Sequence, residues 1–84
     1  MTINYCTKDP QKIDYDERYD ILYVVFGDNR HSYEDEYDTG FGLIRDMDTD
    51  EVVGVSCYGY KEKKRKEKMI DLLRELGVST LALQ

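Results

Sequence analysis

The chain has 84 residues with 18 acidic and 12 basic side chains, a net charge of −6, eight tyrosines and no tryptophan. That length supports one domain with one core, and the acidic balance disfavours nonspecific binding of nucleic acid through the bulk surface, since phosphates are repelled. No run approaches the ~20 apolar residues that span a bilayer. The start of the chain lacks the basic and apolar stretches of a signal peptide. With two widely spaced cysteines, Cys6 and Cys57, read as reduced thiols, the expectation is a cytoplasmic protein without a membrane partner.

Residues 1–11 read as a leader with a short edge strand at Ile3–Cys6. The sheet is expected over residues 12–60. Lys12–Asp16 alternates Ile13 and Tyr15 with Lys12, Asp14 and Asp16, the period of a strand. Glu17-Arg18-Tyr19 is the turn. Asp20–Phe26 is dense in β-branched and aromatic residues. Leu22, Val24 and Phe26 share one face, and Ile21, Tyr23 and Val25 share the other. Two apolar faces predict a central strand that needs a cover on each side.

Gly27–Arg30 reads as a hairpin turn and His31–Tyr37 as a polar edge strand, with Tyr33 and Tyr37 on one face and Ser32, Glu34 and Glu36 on the other. Charge of this density protects an edge from unwanted pairing. Phe41–Met47 and Val52–Tyr60 complete the strands, joined by Asp48–Glu51. In the last of them Val53, Val55 and Cys57 share a face. Residues 61–77 read as a helix: Met69, Leu72, Leu73 and Leu76 recur at i, i+3, i+4 and i+7, and Gly77 is a natural stop. Residues 78–84 form a short apolar tail. The expected fold is α+β, an antiparallel β-meander of four to five strands with one C-terminal helix on one face.

Few side chains suggest chemistry. Asp46, Asp48 and Asp50 have the alternate spacing of a calcium loop, but Glu51 stands where that loop needs Gly and Cys57 where it needs Glu. A hairpin turn is the better reading. The cluster Asp14, Asp16, Glu17 and Asp20 flanks a turn and reads as solvated charge. His31 reads as a surface residue, and Cys57 between valines as a small core residue. No nucleophile, base and oxyanion donor can be named together, so no enzyme activity and no cofactor are expected. The charge is uneven. Residues 1–60 carry 14 acidic and 5 basic side chains, whereas Lys61–Lys68 holds six basic and two acidic. That basic stretch reads as a solvated helix start, as a segment attracted to the acidic sheet, or as a phosphate contact.

The pattern Tyr15-Asp-Glu-x-x-Asp20-x-Leu-Tyr-Val24-x-Phe26, followed by Gly42-Leu-Ile-Arg-Asp-Met-Asp48 and Glu51-Val-Val-Gly-Val55, resembles domain-of-unknown-function family 2283, small proteins of bacteria and phage. The resemblance covers residues 12–60. Val25 and Arg45 depart from the family pattern, as does Asp50-Glu51 in place of its hairpin glycine. The resemblance implies a small antiparallel sheet with a helix and no established catalytic residue. An antitoxin role is suspected for some members.

Two functional expectations follow. One is a non-enzymatic interaction protein that binds and neutralises a basic protein partner through Ile21, Tyr23, Val25, Tyr33, Glu34, Glu36 and Tyr37, with a homodimer through the apolar row or the tail as a further expectation. The alternative is a small nucleic-acid-binding regulator that uses Tyr58, Tyr60, Lys61, Lys63, Lys64, Arg65 and Lys66.

Overall fold

The computed structural model of the chain describes residues 9–83; the strand expected at Ile3–Cys6 and the thiol of Cys6 lie outside them. Five strands form one sheet: β1 Lys12–Asp16, β2 Ile21–Val25, β3 Ser32–Asp38, β4 Phe41–Asp46 and β5 Val52–Tyr58. A helix, α1 Lys63–Glu75, follows, and a 3₁₀ turn at Leu81–Leu83 ends the described chain. The α+β class is as expected. All neighbouring strands are antiparallel, but their order is β1-β2-β5-β4-β3, so the meander is broken after β2. Gly27–Arg30 is therefore not a hairpin turn; the chain there crosses from one side of the sheet to the other. Burial explains the choice. β2 is apolar on both faces and needs an equally apolar neighbour, which β5 is, while every residue of β3 beyond Ser32 is exposed.

The helix covers one face only. Beneath it lie Leu22 and Val24 of β2, Phe41 and Leu43 of β4, and Val55 and Cys57 of β5, joined by Met69, Leu72 and Leu73 of α1. Val53 is buried but lies outside this cluster, and Val52 packs against it instead. The cause is a bulge where β4 pairs with β5, between Ile44 and Arg45. One extra residue at a bulge reverses which side chains face the core.

Gly77 stops the helix as expected, with φ of 75°. Its amide donates to the Arg74 carbonyl at 3.0 Å and the Val78 amide to the Leu73 carbonyl at 2.9 Å. This pair of bonds is a Schellman cap, whose usual hydrophobic contact joins the residue after the glycine to the last turn. Val78 and Leu73 are both fully buried. The tail thus folds back onto the helix-side core, where Leu83 packs beside Tyr15 and Tyr60, and not onto the opposite face of the sheet.

The β1–β2 and β4–β5 hairpin loops share one device. Asp16 Oδ1 accepts the amides of Arg18 and Tyr19 at 2.9 and 3.2 Å, and Asp46 Oδ1 those of Asp48 and Thr49 at 2.7 and 3.0 Å. Four residues after each, Asp20 and Asp50 take positive φ, 55° and 66°. Asp tolerates that region better than most residues, so Asp20 and Asp50 fill turn positions that favour glycine. The Asp46 carboxylate is occupied by amides, which hold it below the usual carboxylate range. No helix among the described residues is long and apolar enough to cross a membrane.

Candidate functional site: the open face of the sheet

Among the described residues, no helix or strand lies over the face of the sheet away from α1. Strand parity places Lys12, Asp14 and Asp16 of β1 there, with Ile21, Tyr23 and Val25 of β2, Gly54, Ser56 and Tyr58 of β5, Gly42 and Ile44 of β4, and Ser32, Glu34 and Glu36 of β3. The expected apolar row is less exposed than its composition suggests. Val25 is buried, and Ile21 and Tyr23 are half-buried. Side chains from both flanking edges close over the row: Lys12 and Asp14 from β1, and Glu34 from β3, line one hollow of about 310 Å³ with Tyr23, Val25 and Ile44.

Glu34 is the centre of this face. Ser56 Oγ donates to its Oε2 at 2.5 Å and Tyr58 OH to the same oxygen at 2.8 Å. Ser56 is fully buried, so the carboxylate is what satisfies its hydroxyl. The hydrogen bond and the charge of Glu34, with partial burial, push the Tyr58 phenol up to about 12. Burial raises Tyr23 as well, helped by Glu34, Asp16 and Asp14. Gly42 makes room for the arrangement: a Cβ there would collide with Glu34 Oε2 and stand 2.7 Å from Ser56 Oγ. Beside Glu34 a second hollow, of about 550 Å³, is lined by Glu34, Glu36, Asp38, Phe41, Gly42 and Tyr58. Carboxylates above aromatic and apolar walls suit a cation on an apolar stem, the form of a Lys or Arg side chain.

β3 divides the other expected contact residues. Glu34 and Glu36 are on the open face with Ile21, Tyr23 and Val25. Tyr33 and Tyr37, exposed by 40% and 52%, lie on the helix side by strand parity, with Tyr37 lining a hollow beside Lys68, Asp71, Leu72 and Glu75 of α1. Tyr33 OH donates to Asp50, which raises its phenol, and Asp35 accepts from Arg45 Nε at 3.2 Å.

The basic stretch is split by its own fold. Arg65 Nη1 donates to the Tyr58 carbonyl at 2.6 Å. Its guanidinium sits so close to Gly40 and Gly59, at φ of 82° and 75°, that a Cβ at either would come within 2.8 Å of it. Lys68 Nζ donates to Asp38 at 2.6 Å, the main reason that carboxyl is held below its usual range. Tyr60 is half-buried against Tyr15, with Lys66 Nζ 5.6 Å from its ring centre. Tyr58 belongs to the open face. Lys61, Lys63, Lys64 and Lys66 are left exposed. Attraction to a carboxylate of the sheet therefore uses Lys68, while Arg65 bonds to the main chain of β5 and pairs with Glu62 beside it.

Asp20 is the structural residue that sequence reasoning missed. It accepts Tyr15 OH at 2.6 Å and the Lys61 amide at 3.1 Å, and its carbonyl accepts the Gly59 amide at 2.8 Å. It joins the first hairpin to the start of the helix, and Tyr15 is pushed up to about 12, chiefly by this bond. The five-residue step from Tyr15 to Asp20 within the family-like pattern was the available signal. His31 is exposed where β3 begins. Cys57 is a free, buried thiol that burial pushes up to about 11, on the opposite face from Glu34. Comparison with known proteins returns no match from any family model, curated protein or solved structure.

Proposed function

We propose that this is a non-enzymatic, cytoplasmic binding protein whose open sheet face receives a basic surface of a protein partner and thereby neutralises it. The supporting observation is the placement of Glu34, with Glu36 beside it and Asp14 across the face, around half-buried Tyr23 and Ile44. Charge gives steering and apolar floor gives contact area, the two components of a protein interface. A second copy would bring two acidic rows together, so a basic partner is the better occupant. The resemblance of residues 12–60 to domain-of-unknown-function family 2283 supports a bacterial or phage setting, in which antitoxins and inhibitors of host defence are proteins of this kind.

The test is fluorescence anisotropy with a labelled oligolysine peptide. Glu34→Gln with Glu36→Gln weakens binding several-fold more than Asp48→Asn with Glu51→Gln, which removes the same charge at a distant loop. Raising salt from about 0.05 to 0.5 M weakens binding at least tenfold, as screening of exposed charge requires. Equal loss in the two double variants refutes the proposal.

A further inference from the structure

The main chain of β3 carries a second pattern. The His31 carbonyl accepts the Met47 amide at 2.9 Å, one step before the register pair Ser32↔Asp46. Antiparallel ladders alternate between hydrogen-bonded and non-bonded pairs. Tyr33↔Arg45 and Asp35↔Leu43 are therefore the bonded pairs, and the backbone groups of Ser32, Glu34 and Glu36 point away from β4. The other side of β4 agrees. The Tyr58 amide donates to the Gly40 carbonyl at 2.8 Å, so residues 40, 42 and 44 face β5, leaving 41, 43 and 45 for β3. The free amides and carbonyls of the edge thus belong to the same residues that line the two hollows of the open face.

The geometry points to β3 as a strand-addition edge for an extended segment of a basic protein, with Lys or Arg at alternate positions and apolar residues between them. This rests on the reading of the open face as a docking site for a basic partner, and it names the form that partner takes. A strand laid along β3 would place one set of its side chains beside Glu34 and Glu36, up to the bulge that turns Asp38 toward Lys68 of the helix. The intervening set would fall beside Tyr33 and Tyr37, the exposed aromatics on the other side of β3. Main-chain bonds supply affinity and the alternating side chains supply selectivity. A second copy of β3 is a poor occupant, because carboxylates would meet carboxylates. The opposite edge, β1, lacks this combination: the same alternation leaves the backbone of Ile13 and Tyr15 free, on the helix side, where the Tyr15 hydroxyl is already bonded to Asp20.

The experiment uses the intact protein and a peptide of alternating Lys and Val, a peptide of the same composition in one Lys block and one Val block, and two N-methylated forms of the alternating peptide, methylated on the Lys amides or on the Val amides. The alternating peptide binds at least about tenfold more tightly than the block peptide. One methylated form loses about a hundredfold, roughly fivefold for each of three main-chain bonds, and the other binds as the parent does. Amide hydrogen exchange slows at Ser32, Glu34 and Glu36 on binding. Equal affinity for the alternating and block peptides, or equal effects of the two methylations, overturns strand addition while leaving the basic docking face standing. Protection of those three amides in a dimer without peptide also overturns it, in favour of a second copy. Oligolysine binding that ignores Glu34 and Glu36 overturns the docking face itself.

Discussion

Replacing Gly42 by Ala tests whether the tethering of Glu34 is built into the sheet. The backbone at Gly42 is not in the left-handed region, so alanine is conformationally allowed and the effect comes from what its methyl meets. That methyl displaces the Glu34 carboxylate, the end of a flexible side chain, at little steric cost. The consequence falls on Ser56, whose buried hydroxyl donates to Glu34. A buried donor left without a partner costs about 1–3 kcal/mol, and exchanging a strand glycine for alanine returns about 0.5–1 kcal/mol. The loss wins, by about 1–2 kcal/mol, which in a domain of this size lowers Tm by roughly 4–16 °C. The second readout is Tyr58. Released from Glu34, its phenol moves from about 12 toward its ordinary 10.0, followed by ring NMR with Tyr58→Phe for assignment. In a Ser56→Ala background no hydroxyl is stranded, and the cost of Gly42→Ala falls by about 1 kcal/mol or more, a coupling that a double-mutant cycle measures. Unchanged Tm together with a Tyr58 phenol still near 12 would refute the reasoning.

Arg65→Ala loses the bond to the Tyr58 carbonyl and the packing against Gly40 and Gly59 and costs about 1–2 kcal/mol in urea unfolding, whereas Lys63→Ala and Lys64→Ala stay within about 0.5 kcal/mol. Burial raises the Cys57 thiol from 9.0 to about 11, so the unfolded chain releases that proton first, and stability falls as pH rises from about 9 to 11. Denaturation across that window shows a shallower decline in Cys57→Ala; an identical slope would count against the burial argument. Leu73→Ala opens a cavity under the helix where Leu73 is fully buried and costs about 2–5 kcal/mol. Because total stability for a chain this size is of order 5 kcal/mol, calorimetry shows a transition shifted far down or lost.

Local signals carried most of the fold. β2 announces itself as internal because both its faces are apolar, and the helix because its apolar residues recur at helical spacing. The turns followed from Asp side chains that bond to nearby amides, a short-range effect. What stayed hidden depends on distant pairs. That β2 chooses β5 over β3 reflects a comparison of whole strands, and a hairpin turn was the natural reading of Gly27–Arg30 from neighbours alone. Arg65 looks like one more cation in a basic run until two positive-φ glycines, 25 and 6 residues upstream, leave a slot for it. Glu34 and Glu36 were legible as an acidic edge and Ile21, Tyr23 and Val25 as a row on one face. The tether from Ser56 and Tyr58 was not, because it joins residues 22 and 24 positions apart.

That tether bears on why β3 is acidic at all. A charged edge discourages aggregation, and any exposed carboxylate would serve, held loosely and free to move in water. Glu34 is different. Two hydroxyls hold its Oε2, one of them fully buried, and the sheet omits a side chain at Gly42 to receive it. Both bonds go to one oxygen, so Oε1 retains its full capacity to accept. Fixing a side chain before a partner arrives removes an ordering cost of about 0.5–1.5 kcal/mol from the binding step. Protection of an edge gains nothing from that restraint, whereas recognition of a cation at a set place along the strand does. The restraint on Glu34 therefore favours docking over edge protection as the reason for its position.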